Sequence, residues 1–132
     1  MLAATPIVPL FTQHRIAQRA PLVAYVPARI ATGYRYYRWA YNGGVLRIWF
    51  RNRAAKELTF VVSRQRGTVC TAGKSKTFQL AGNKAYWAQS GDEQQSWRCV
   101  NGVRLTAATS MTTRQFADVG LGIIVASAHK IR

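Results

Sequence analysis

The chain has 132 residues, 48% of them apolar or aromatic and 17% charged, which is enough to bury the core of one domain and too apolar for a disordered tail. Nineteen Lys and Arg face only Glu57, Asp92, Glu93 and Asp118; the formal charge of +15 favours polyanionic partners and leaves little for chemistry that needs paired carboxylates. Asp92 and Glu93 adjoin in the turn-like run SGDEQQ, His14 and His129 lack ligand companions, and Cys70 and Cys99 match no CxxC or zinc spacing, so neither a metal nor a cofactor is expected.

Residues 1–22 carry Pro6, Pro9 and Pro21 with broken apolar periodicity and read as an extended or loosely helical leader, ahead of a single α+β domain over residues 23–132. Their start, MLAATPIVPLF, lacks the basic residues that open a signal peptide, so an extracytoplasmic protein would need a signal or anchor upstream. No run reaches the ~18–20 apolar residues that span a bilayer.

The run GYRYYRWAYNGG, residues 33–44, leads into VLRIWFR, residues 45–51, as a hairpin. A two-residue Asn42-Gly43 turn predicts Trp39 opposite Leu46, Tyr37 opposite Ile48 and Arg35 opposite Phe50 on a mostly apolar inner face. The outer face then holds Tyr34, Tyr36, Arg38, Arg47, Trp49 and Arg51, with Arg38 facing Arg47 and Tyr36 facing Trp49. Like charges opposed across a ladder repel unless water screens them or an anion bridges them, and neighbouring rings add cation–π contact. Tyr36, Arg38, Arg47, Trp49 and Arg51 are therefore the candidate binding residues, weighed against an ordinary solvated strand face.

ELTFVVSR, residues 57–64, alternates as a half-buried strand, and further strands are expected at Ser75–Leu80, Lys84–Gln89, Gln94–Cys99 and Val103–Ala108. Together they predict a curved antiparallel sheet, a meander of six to seven strands. At Asn101-Gly102 a three-residue loop pairs Cys99 with Val103 and Trp97 with Leu105, which sorts apolar residues inward, whereas a two-residue loop sets Arg98 opposite Leu105. The first register is the one expected. Residues 112–132 then read with helical spacing, with Phe116, Val119, Ile123 and Ala126 on one stripe, Thr112 and Gln115 as a capping box, and His129 and Lys130 at the negative end of the helix dipole. Its outward Gly, Ala and Ser favour packing across the sheet over lying on a membrane.

Cys70 and Cys99 are either two buried thiols or one bridge. A bridge is preferred, and it implies an oxidising, extracytoplasmic setting.

The segment YVPARIATGYRY resembles the P-x-x-L-P-x-G-Y entry of a bacterial envelope domain family of unknown function found beside anti-sigma factors, with Ala31 where that family has its second proline. FQLAGNKAYW, QQSWRCVNGVRLTA and the later FADVG follow in the family's order, so that the likeness covers about residues 25–128. The family is similar in organisation to lipoprotein-carrier and RseB-like sensor domains. The resemblance implies a non-catalytic, secreted or envelope-associated binding or sensing module. Its partner would be an anionic envelope polymer, a lipid headgroup or a protein. A nucleic-acid-binding or ribonucleoprotein-associated domain is the alternative that the charge allows, and a structural subunit of a larger assembly is a third; no RNP1-like run supports the former. No nucleophile–base–acid pattern or phosphate-cradling loop suggests an enzyme.

Overall fold

The computed structural model describes residues 6–64, 70, 76–80, 83–90, 93–109 and 118–131. In chain order they form α1 (Leu10–Arg19), a 3-10 turn at Pro21–Val23, β1 (Tyr25–Val26), β2 (Arg35–Asn42), β3 (Val45–Arg51), β4 (Glu57–Arg64), β5 (Lys76–Leu80), β6 (Asn83–Ser90), β7 (Glu93–Val100), β8 (Val103–Thr109), α2 (Asp118–Ser127) and β9 (His129–Lys130). The class is α+β, as predicted. Seven strands form one antiparallel sheet in the order β2-β3-β4-β8-β7-β6-β5, and β1 pairs with β9 beside it. The large sheet is thus two meanders, β2–β4 and β5–β8, joined where β4 pairs with β8.

Strict alternation decides which side of each strand is buried. Leu46, Ile48 and Phe50 of β3 and Leu58, Phe60 and Val62 of β4 are fully buried, and Leu105 and Ala107 of β8 join them. Each large apolar side chain taken fully from water contributes about 1.5–3 kcal/mol, so one such face suffices to hold the register.

Two helices cover this inner face, not one. The segment expected to be a leader contains α1, and its Val8, Ile16 and Ala20 lie in the same core cluster as Leu46 and Phe50. The helix stops at Ala20 because Pro21 disfavours helical geometry in the residue before it. The C-terminal helix packs on the β5–β8 half of the sheet, chiefly on β6, β7 and β8, instead of spanning the whole sheet. Its buried side includes Leu121, Ile124 and Val125, continued by Ala128 just past its end, while Ile123 and Ala126 of the predicted stripe are half-buried. The periodicity was shared by two adjacent stripes, and the position of the strands beneath selected the other. The expected capping box at Thr112 and Gln115, and Phe116, lie outside the described residues.

Both predicted hairpin registers are corrected. In the first, Gly43 and Gly44 form the two-residue turn, with φ of 61° and 78°, and pair Asn42 with Val45, Tyr41 with Leu46 and Trp39 with Ile48. Such a turn needs positive φ at both central residues, and two glycines meet that with no Cβ to clash. A bulge between Tyr36 and Arg38 then sets Tyr36 opposite Phe50 and Arg35 opposite Arg51. In the second, Asn101 and Gly102 take φ of 49° and 79°, pairing Val100 with Val103 and Arg98 with Leu105.

Arg98 therefore points into the core, at only 8% exposure. Its Nε donates to the Val125 carbonyl at 2.7 Å and its Nη2 to the Ala128 carbonyl at 2.8 Å. These are carbonyls at and just past the C-terminal end of α2, where orphan acceptors and the negative end of the helix dipole favour a cation. Burial pushes the Arg98 pKa down from its ordinary value, with the nearby Tyr25 opposing that shift. Ser127 ties the same corner to the chain before β2: its Oγ accepts from the amides of Ala28 and Arg29 at 3.1 and 3.0 Å.

Between β3 and β4, Asn52 Oδ1 accepts from the amides of Ala54 and Lys56 at 3.0 Å, and the tight turn holds Ala55 at φ 60°. An L-residue there carries a penalty of about 1–2 kcal/mol. Ala55→Gly is expected to raise stability by about half to one kcal/mol once the added freedom of the unfolded chain is subtracted. A shift of the urea midpoint at constant m-value checks it.

Candidate basic face of the sheet

The outer face of the sheet inherits every side chain that the core alternation rejects. On β2 and β3 these are Arg38, Arg47, Trp49 and Arg51, with Arg35 and the bulged Tyr37. Arg38 lies opposite Trp49, not Arg47, and its guanidinium sits over the Trp49 ring at 4.0 Å. Arg51 lies over Tyr37 at 3.7 Å and makes a 2.8 Å ion pair from Nη2 to Glu57 Oε1, to which its Nε also donates at 2.9 Å. Arg47 is exposed between Ala40 and Val61.

Four of the five predicted residues thus share this face. Tyr36 does not. The bulge turns it inward, where its ring meets Phe50 edge-on at 6.5 Å. Burial raises its pKa and a hydrogen bond with Thr12 of α1 partly offsets that. Tyr37, expected in the core, takes its place outside at 45% exposure. Trp39 remains on the inner side as expected, half-buried against α1.

A second cluster on the same face was not foreseen. Trp97 and Cys99 point outward from β7, opposite to the prediction, and Trp97 is buried even so, at 1% exposure. Its Nε1 donates to the Cys70 carbonyl at 2.9 Å, and Cys70 is bonded to Cys99 with their Cα atoms 6.0 Å apart. Tyr86 stacks on Trp97 with centroids 5.9 Å apart, Arg104 lies over Trp97 at 5.0 Å, and Lys84 over Tyr86 at 5.7 Å. Burial lowers the Arg104 pKa from its ordinary value. The signal was present in the two-residue register at Asn101-Gly102, which sends Trp97 and Arg104 to the same side.

Between the clusters run β4 and β8, whose central outward residues are Thr59, Val61, Thr106 and Ala108, with Glu57 and Ser63 of β4 and Arg104 of β8 toward the strand ends on the same side. Arg47, Val61, Thr106 and Trp97 form one cross-strand row, so three strand spacings separate the flanks by about 14 Å. At the β2–β3 end the face opens into a cleft of about 670 Å³ lined by Thr32, Gly33, Arg35, Arg51, Asn52 and Arg53 among others. Glu57 is the one acidic residue of β2–β4.

The face therefore presents the Arg38, Arg51 and Arg104 guanidinium groups already held over rings, which limits the rotamer freedom they would lose on meeting an anion. Among the described residues no group of three His, Cys, Asp or Glu is placed to hold a metal. No helix among them is long and apolar enough to cross a membrane.

No protein-family model matches the chain, and comparisons with curated proteins and with solved structures find no significant match.

Proposed function

We propose that the chain is a non-catalytic extracytoplasmic binding module whose outer sheet face holds an anionic polymer of the bacterial envelope. The observation that carries this reading is the floor of Thr59, Val61, Thr106 and Ala108 flanked by two clusters of stacked cations, a strip wide enough for one extended polyanion. The disulfide supports the compartment, because such bonds persist where thiols are not kept reduced. The resemblance of YVPARIATGYRY and the segments after it to an envelope family agrees in direction.

Single-stranded nucleic acid is the less favoured ligand. Its sequence-tolerant binding depends on bare rings for bases to stack on, whereas Arg38 already lies over Trp49 and Arg51 over Tyr37. A polymer that carries charge along its backbone needs only the guanidiniums.

The test is fluorescence anisotropy with a labelled poly(glycerol phosphate) and a labelled mixed-sequence DNA strand, each titrated across a range of salt. The polymer should bind, and the Arg38→Ala, Arg47→Ala double variant should bind it roughly tenfold or more weakly. Its salt slope should be shallower by about 0.7 for each lost phosphate contact. Binding to the DNA strand alone, lost in the same variant, would replace this reading with the nucleic-acid one.

A further inference from the structure

Among the described residues four large apolar side chains are exposed, and three of them, Leu10 at 68%, Phe11 at 71% and Leu22 at 61%, belong to α1 and the turn after it. A helix that served only to cover the sheet would keep its apolar residues on the inner side, where Ile16 and Ala20 already are. The outward side instead mixes these apolar tips with His14, Arg15, Gln18 and Arg19, and Arg15 lies against the Phe11 ring at 5.6 Å. Phe11, Arg15 and Arg19 also line a groove with Trp39. The helix has no acidic residue.

We infer that this outward side of α1 docks on an anionic lipid bilayer. Leu10, Phe11 and Leu22 enter the boundary between headgroups and acyl chains, while Arg15 and Arg19 reach the lipid phosphates, their stems lying along the apolar surface. Two features favour a bilayer over a protein groove. The apolar residues stand out as separate tips, as a fluid surface accepts, and the interleaved arginines complement negative lipid. Because α1 covers the inner side of the sheet, docking here leaves the basic outer face turned away from the membrane. The surface differs from the one proposed above, and neither depends on the other.

The full chain is sedimented with vesicles of phosphatidylcholine alone and with vesicles that also contain phosphatidylglycerol. Wild type should partition to the second and little to the first. Phe11→Ser with Leu22→Ser should lower that partition roughly tenfold or more. Arg15→Gln and Arg19→Gln should each lower it roughly fivefold at low salt and less at high salt. The Arg38→Ala, Arg47→Ala variant should partition as wild type. As an independent readout, the indole in Phe11→Trp should be quenched by brominated acyl chains. Equal partition to both vesicles, wild-type partition of the serine variant, loss confined to the Arg38 and Arg47 variant, or an unquenched indole would each overturn the inference. So would a dimer in solution that the serine variant dissolves, since the occupant would then be a second copy of the chain.

Discussion

Replacing Cys70 and Cys99 together by alanine is expected to lower the unfolding free energy by about 3–4 kcal/mol. The bridge closes a separation of 29 residues, and in the chain-entropy model that restriction of the unfolded ensemble gives this magnitude. For a domain whose total stability is about 5–15 kcal/mol, the change is large. There is a local effect as well. Cys70 supplies the carbonyl that receives the Trp97 indole, and Trp97 is the centre of the Tyr86, Arg104 and Cys99 cluster on the outer face. Freed from the bridge, the Cys70 segment would leave that indole open to water. Urea denaturation should show the lower midpoint, and tryptophan emission should move to longer wavelength before global unfolding. An unchanged midpoint with unshifted emission would show that other contacts hold the segment. Free-thiol labelling of protein from its native compartment tests the extracytoplasmic reading: both thiols should be unreactive, and two reactive thiols would move the protein to a reducing compartment.

Arg98→Met should cost about 3 kcal/mol although methionine matches the stem and is apolar. Replacing a buried ion pair by apolar residues is often neutral because both charges leave together. Here the partners are the Val125 and Ala128 carbonyls, which stay behind at the buried end of α2 and lose the guanidinium, Val125 keeping only a long 3.4 Å bond from the Ala128 amide. A hydrogen bond to a charged group contributes about 1.5–3 kcal/mol, and an orphaned buried acceptor carries its own penalty. Arg98→Lys should lose less, since it keeps the charge at the helix C-terminus but lacks the planar fork that serves two acceptors at once. Hydrogen exchange separates this mechanism from general loosening: amides of residues 121–127 should exchange faster in Arg98→Met, with those of β3 and β4 following only the global change. Uniform acceleration across the sheet would contradict a role at the helix end.

The strands of the sheet were legible because alternation is a local property. Leu46, Ile48 and Phe50, and Leu58, Phe60 and Val62, declare their face within a few residues, and the structure buries all six. Registers were harder to read. The Gly43-Gly44 turn competes with Asn42-Gly43 on nearly equal chemistry, and a bulge at Tyr37 has no signature in a run of alternating Tyr and Arg. Of the proposed site, Arg38, Arg47, Trp49 and Arg51 were recovered because they alternate with core residues, whereas Tyr36 was misplaced by that single extra residue. At Asn101-Gly102 the misreading had another origin. A buried arginine speaks against that register when only the local sequence is considered, because the acceptors that satisfy it lie 27 and 30 residues further along the chain.

Residue order by itself determined the α+β class, the half-buried strands, the excess of positive charge and the presence of two cysteines able to pair. Those features rest on period-two patterning and on charge, which act over short spans or over the whole chain and need no knowledge of neighbours. Tertiary structure decided the rest. It set β4 against β8, divided the inner face between two helices, bonded Cys70 to Cys99 beside an outward tryptophan, and turned Arg98 from an apparent surface residue into the cap of α2. The reason is that a buried polar group is acceptable wherever a partner waits, and in a folded chain that partner is chosen by position in space, not by distance along the sequence.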